Sequence, residues 1–152
     1  MTEQKNEFSR IVTVSRISPK GTEDKIEASP TEREALAKRF DLIGINSLSA
    51  KISLEPKNYF NKQVIAVEGS VNATVRQQCI HSLEEVTNVL DFKFSVIFVK
   101  DGEFTREELS EIDSVSLDEE IDVFYKGKID IGELVAQQLF VHIDQYPSCK
   151  AL

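Results

Sequence analysis

The sequence has no tryptophan, one methionine, two cysteines and no long apolar run. Each shortage removes a class of protein. Cys79 and Cys149 are too few for a disulfide framework and too far apart for a zinc knuckle of their own, so reduced thiols are expected. No apolar stretch approaches the roughly 20 residues that span a bilayer. The polar start MTEQKNEFSR has no apolar signal region, so a cytoplasmic protein without a membrane partner is expected. There is no phosphate loop, no dinucleotide-binding glycine signature, no Gly-x-Ser-x-Gly elbow and no His-Glu-x-x-His helix, which excludes the enzyme classes that those motifs define. No cofactor is implied.

What remains describes a protein that folds. The 152 residues are 41% hydrophobic and 29% charged, enough for the core of one domain over residues 1–152. The net charge of −8 argues against indiscriminate adhesion to nucleic acid. That charge is unevenly spread: residues 1–80 carry 12 Lys/Arg and 10 Asp/Glu, whereas residues 81–152 carry 6 and 16. Nine carboxylates lie between Asp101 and Glu120 against the single base Arg106, so an acidic loop or mobile segment is expected at 101–120.

Apolar residues among Ser and Thr from Phe8 to Ile17 suggest an edge or barrel strand that ends at Pro19-Lys20-Gly21. Ser29-Pro30-Thr31-Glu32 combines an N-cap hydroxyl, a proline at the first helical position and a glutamate that reaches back to the cap, so a helix should run from Pro30 to about Phe40. From Ile43 to Leu54 the alternation changes phase, which calls for a bulge near Asn46-Ser47. Val64–Val75 and the Phe-rich segment around Phe92–Phe98 should form a hairpin, with Gln78–Leu83 as its turn. Ile121–Lys126 reads as a short strand. Asp130 and Glu133 repeat the capping pattern ahead of a helix from Ile131 to about Ile143. These elements define an α+β fold: a curved, mainly antiparallel sheet of five to seven strands, open or closed towards a barrel, with two covering helices.

Few constellations suggest chemistry. Cys79 and His81 could pair as thiolate and imidazole, but no third residue to orient them is evident. His142 falls in the last turn of the final helix, where an imidazolium meets the helix C-terminus. A metal site would have to gather Cys79, His81, His142 and Cys149 from distant positions. The 101–120 carboxylates lack the spacing of a calcium loop. Basic residues are the better candidates: Arg33, Lys38 and Arg39 on the first helix, Lys51 and Arg76 on the sheet, and Lys57 and Lys62 flanking Tyr59 and Phe60, the latter pair as base-stacking aromatics. On composition alone the seven bases read as ordinary surface charges, because acids are interleaved with them.

The segment from Val67 to Cys79 (VEGSVNATVRQQC), followed by Ser82-Leu83-Glu84, a Phe-rich strand, an acidic spacer and Ile129–Leu139 (IDIGELVAQQL), resembles the YceD family of bacteria and plastids, the large ribosomal RNA subunit accumulation proteins. The resemblance runs from about Phe8 to Pro147. It implies a non-enzymatic ribosome-biogenesis factor that supports accumulation of large-subunit ribosomal RNA by binding that RNA or a pre-ribosomal particle. Many members end in a cysteine-containing tail, and here the tail holds only Cys149. The resemblance brings no catalytic residue with it. It raises Arg76, Arg33, Lys38, Arg39, Lys51, Lys57 and Lys62 as phosphate contacts, with Tyr59 or Phe60 as stackers. Two alternatives stay open: a protein-interaction module that docks its acidic segment on a basic ribosomal protein, and a Cys/His-dependent enzyme.

Overall fold

The computed structural model describes residues 7–115 and 120–143. A short strand β1 (Ile11–Thr13) and a 3-10 turn (Val14–Arg16) precede β2 (Thr22–Glu27) and helix α1 (Pro30–Arg39). Three long strands follow: β3 (Gly44–Tyr59), β4 (Lys62–Gln78) and β5 (Glu85–Lys100). The chain closes with α2 (Arg106–Val115), β6 (Glu120–Phe124), β7 (Lys128–Asp130) and α3 (Ile131–His142).

β2 to β6 form one sheet in sequence order, antiparallel except where β6 runs parallel to β5, and β1 pairs with β7 in a separate ribbon. The fold is therefore α+β with a mainly antiparallel sheet, and the sheet is open. The parallel pair needs a crossover, and α2 is the element that makes it. The β3–β4 register slips between Ile45 and Ser47, the bulge that the phase change called for. A two-residue turn, Phe60–Asn61, joins these strands with both φ angles positive (56° and 59°), the sense that matches strand twist. Pro56 is tolerated within β3 because the pairing with β2 ends at Leu54, so no neighbouring carbonyl lacks its donor.

The two sheet faces are covered differently. The inner face (Leu48, Ile52, Leu54, Val67, Val71, Val75, Val96) packs against Leu36 and Phe40 of α1 and Val135 and Leu139 of α3. A Cβ at Gly69 would strike the Phe94 ring, which fills the space this glycine leaves. On the outer face a second cluster, Val64, Ile97 and Val99, is sealed by Ile112 of α2, with Phe104, Leu109 and Tyr59 around it. The remainder of the outer face has no helix over it among the described residues.

Several boundaries differ from those expected. The Phe8–Ile17 strand shrinks to three residues, because the Arg10 amide donates to the Asp130 carboxylate (2.8 Å) and the chain then tightens so that the Ile17 amide meets the Val14 carbonyl (3.1 Å). α1 forms its capping box as expected, Ser29 Oγ accepting from the Glu32 amide (3.2 Å) and Glu32 accepting from the Ser29 amide (2.8 Å). Asp130 caps α3, but the Glu133 side chain turns away to Arg39. The acidic stretch is not all loop: residues 106–115 are helical, since Leu109 and Ile112 give the segment an apolar side that packs. Cys149 lies outside the described residues, as do the rest of 144–152 and residues 116–119.

Candidate nucleic-acid interface

The nine sequence candidates fall at four places. Arg33, Lys38 and Arg76 come together: they line a cleft of about 320 Å³ between α1 and the end of the β3–β4 ladder. The Arg76 guanidinium lies across Gly44, directly opposite it in the register, and any Cβ there would collide with it. Its Nε donates to Asn46 Oδ1 (2.7 Å) and its Nη1 to Glu85 (3.1 Å). Asn46 is the residue that the bulge turns out of register, so the irregularity in β3 holds the arginine in place. Arg33 donates from Nε to the Ile45 carbonyl (3.2 Å) and from Nη1 to the Ala28 carbonyl (2.8 Å), which fixes its guanidinium at the cleft. Lys38 is exposed and forms no ion pair among the described residues.

Arg39 is elsewhere and occupied. Its guanidinium forks onto Glu133 (2.8 and 2.9 Å) and also meets Glu7 (3.1 Å), joining α1 to α3. The Glu133 hydrogen bond, opposed by partial burial and aided by Glu7, raises its pKa further above the usual arginine range. Lys62, at the far end of β4, is also engaged: Nζ donates to Glu108 (2.8 Å) and the Glu103 carbonyl (2.9 Å) and sits 5.2 Å from the Phe104 ring centre. The Lys62 hydrogen bond, with the Thr105 amide, holds the Glu108 carboxyl below its ordinary pKa. Tyr59 packs half-buried against the α2 cluster, while Phe60 stays exposed at the hairpin tip beside exposed Lys57. Lys51 stands mid-sheet on the outer face. About 14 residues of β4 separate Arg76 from Lys62, roughly 45 Å along an extended strand.

The cysteine and histidines are placed structurally. Cys79 is fully buried, its sulfur accepting from the Ser82 amide (3.5 Å), whereas His81 is exposed. Burial takes the thiol away from the solvent side that a substrate would approach. His142 stacks on Phe92 (3.7 Å between centroids), with Nδ1 2.9 Å from the Gln138 carbonyl. No cluster of three metal-ligating side chains occurs among the described residues. No described helix is long and apolar enough to cross a membrane.

The chain is thus an α+β protein with an open, mainly antiparallel sheet and a cleft lined by Arg33, Lys38 and Arg76 together with Glu34. A family model described as "Large ribosomal RNA subunit accumulation protein YceD" matches residues 67–151, and the chain belongs to the YceD family, which ties it to a ribosome-related role. No curated protein and no solved structure matches it. The match starts within β4, later than the Phe8 start of the resemblance, so Arg76 lies inside the matched segment while Arg33, Lys38 and Lys51 lie before it. Sequence reasoning missed Asn46 and Gly44 as the residues that position Arg76. The phase change at Asn46-Ser47 was their only signal.

Proposed function

We propose that this protein is a non-enzymatic, single-domain cytoplasmic factor that supports accumulation of large-subunit ribosomal RNA by binding that RNA or a pre-ribosomal particle through the cleft of Arg76, Arg33 and Lys38. The observation that carries this reading is the convergence of three bases from α1 and β4 on one cleft, with Arg76 inside the family-matched segment. Two guanidiniums already held by hydrogen bonds lose little side-chain freedom on meeting a phosphate. Lys38, without an ion pair among the described residues, gives up no internal partner. Phe60 and Lys57 are exposed at the other end of the ladder and serve as a separate stacking and phosphate contact.

A second reading is favoured by α2: its apolar residues are turned to the sheet while Glu107 and Glu111 are exposed, an acidic surface suited to a basic ribosomal protein. Binding of the whole protein to large-subunit RNA fragments separates the two. Phosphate contacts predict affinity that falls steeply with salt and drops on Arg76→Ala or Lys38→Ala, each removing about 0.7 from the log–log salt slope for single strands. Affinity indifferent to salt and to both substitutions, together with loss of ribosomal-protein binding on Glu107→Lys, favours the acidic helix. Crosslinking in cells with peptide mapping then locates the contact and names the RNA.

A further inference from the structure

The register of the sheet aligns three lysines that lie far apart in sequence. Lys25 of β2 is directly opposite Lys51 of β3, Lys51 is opposite Ser70 of β4, and Ser70 is opposite Lys93 of β5. All three lysines are exposed on the outer face, in the part that α2 leaves open. None forms an ion pair among the described residues, although Glu23 and Glu68 stand in the adjacent row. Like charges directly opposite one another on a sheet repel. Lys25 and Lys51 are such a pair, and an anion between them relieves that repulsion.

The surface between the lysines has room for one. Ser53, Ser70 and Ser95 are small and leave a groove of about 340 Å³, lined by Lys51 and Lys93 and, on the side of the adjacent row, by Glu23 and Glu68, with Lys25 outside it. Ser70 stands between Lys51 and Lys93 in the register, its hydroxyl and the two ammoniums all being donors. A tetrahedral oxyanion with oxygens in several directions suits that donor set. We propose that the Lys25–Lys51–Ser70–Lys93 row is a second phosphate-binding site that takes the backbone of an RNA strand. It rests on the RNA-binding reading above but uses different residues.

The carboxylates give this site a direction. Glu23 and Glu68 border the row on one side, and Glu27 and Asp91 border it on the other, two residues along each strand. A polyanion lying along the strands meets those acids, whereas one lying across them follows the lysines for three interstrand steps, about 14 Å. Arg76 is six residues further along β4, roughly 20 Å away, so the row and the cleft are separate contacts.

The test is a salt series of whole-protein binding to a labelled single-stranded fragment of large-subunit ribosomal RNA. A Lys25→Gln/Lys51→Gln/Lys93→Gln variant should lose about 2 from the salt slope, at about 0.7 per phosphate contact. A Lys20→Gln/Lys100→Gln/Lys128→Gln variant, with the same charge loss elsewhere, should lose much less, and a Lys→Arg triple variant of the row should bind as wild type. Ser70→Glu, which puts a carboxylate between Lys51 and Lys93, should weaken binding about tenfold and reports on the site even if the triple Gln variant does not fold. Equal losses in the two Gln variants overturn the site. So does an unchanged slope and an unchanged Ser70→Glu affinity; if Arg76→Ala still weakens binding in that case, the cleft stands without the row. An RNA affinity insensitive to salt in the wild type overturns both.

Discussion

Lys62 and Arg76 stand at opposite ends of β4, both on the outer face and both next to a carboxylate, yet they are built for different work. Lys62 is held by α2 and the segment leading into it: Glu108, the Glu103 carbonyl and the Phe104 ring all meet its ammonium, so the difference from Arg76 lies in its partners and not in exposure (31% against 34%). Arg76 has one carboxylate, Glu85, itself half exposed, and its other anchor is the neutral Asn46. The cause is topological. Because β6 must run parallel to β5, the chain crosses the sheet between them, and α2 lies where that crossover passes, over Val64, Ile97 and Val99. Bases under the crossover become part of a helix dock. Bases beyond it have fewer internal partners to give up to a ligand.

The most severe way to disturb this contrast is to release α2. Ile112 is buried and is the one fully buried α2 side chain in the outer cluster among the described residues. Ile112→Ala should cost about 2–5 kcal/mol, the usual range for emptying such a site, read as a lower urea midpoint. Hydrogen exchange should then speed up over 104–112 and the Lys62 end of β4, while amides around Arg76 keep their protection. Uniform acceleration along β4 would show that the two ends are one cooperative unit.

A smaller effect tests the tip of the same end. Phe60 holds φ of 56° while exposed, a left-handed conformation that a bulky residue adopts at a cost and Asn adopts more easily. Phe60→Asn should therefore raise stability by about 1 kcal/mol, measured by urea unfolding. If RNA affinity falls at the same time, the strained aromatic is kept for contact, and the Lys62 end is not purely structural. A variant that is no more stable shows that the turn carries no such strain.

How much of this was readable from the sequence depended on whether local chemistry and tertiary packing agreed. α1 was legible because Ser29, Pro30 and Glu32 specify a helix start by themselves, and the bulge at Asn46 because it inverts an alternation. α2 was hidden by its charge. Its signal was nevertheless present: Thr105 and Glu108 form the same reciprocal cap that marked α1, each accepting from the other's amide (3.1 and 2.9 Å). β2, with five polar residues in Thr22–Glu27, has little strand character and exists because it pairs with β3. Of the candidate site, the residue types were legible and their grouping was not. Arg33 meets Arg76 only through the packing of α1 on the sheet, and Arg39, six positions beyond Arg33, is drawn instead to Glu133.

The Arg76 end also has its own restraint, which acid should loosen, as it should the Lys62–Glu108 pair, whose carboxyl is likewise held below its ordinary pKa. Arg10 forks onto Glu32 (2.6 and 2.9 Å) at the first turn of α1, tying the helix that presents Arg33 and Lys38 to the N-terminal segment. The Arg10 hydrogen bond, helped by the Ser29 amide against partial burial, lowers the Glu32 pKa to about 2. A carboxyl whose pKa is depressed in the folded state adds stability that is complete above its unfolded value near 4.5 and lost as pH falls through about 2. With Arg10 about a third exposed (36%), solvent screens the pair, and the contribution should be no more than about 1 kcal/mol. Glu32→Gln keeps a side-chain oxygen for the Ser29 amide but removes the charge. It should therefore destabilise the protein at pH 7, and the wild-type advantage over the variant should vanish between pH 4.5 and 2. If the difference in urea midpoints stays constant across that range, the ion pair does not hold α1, and the cleft owes its geometry to the apolar contacts of Leu36 and Phe40 alone.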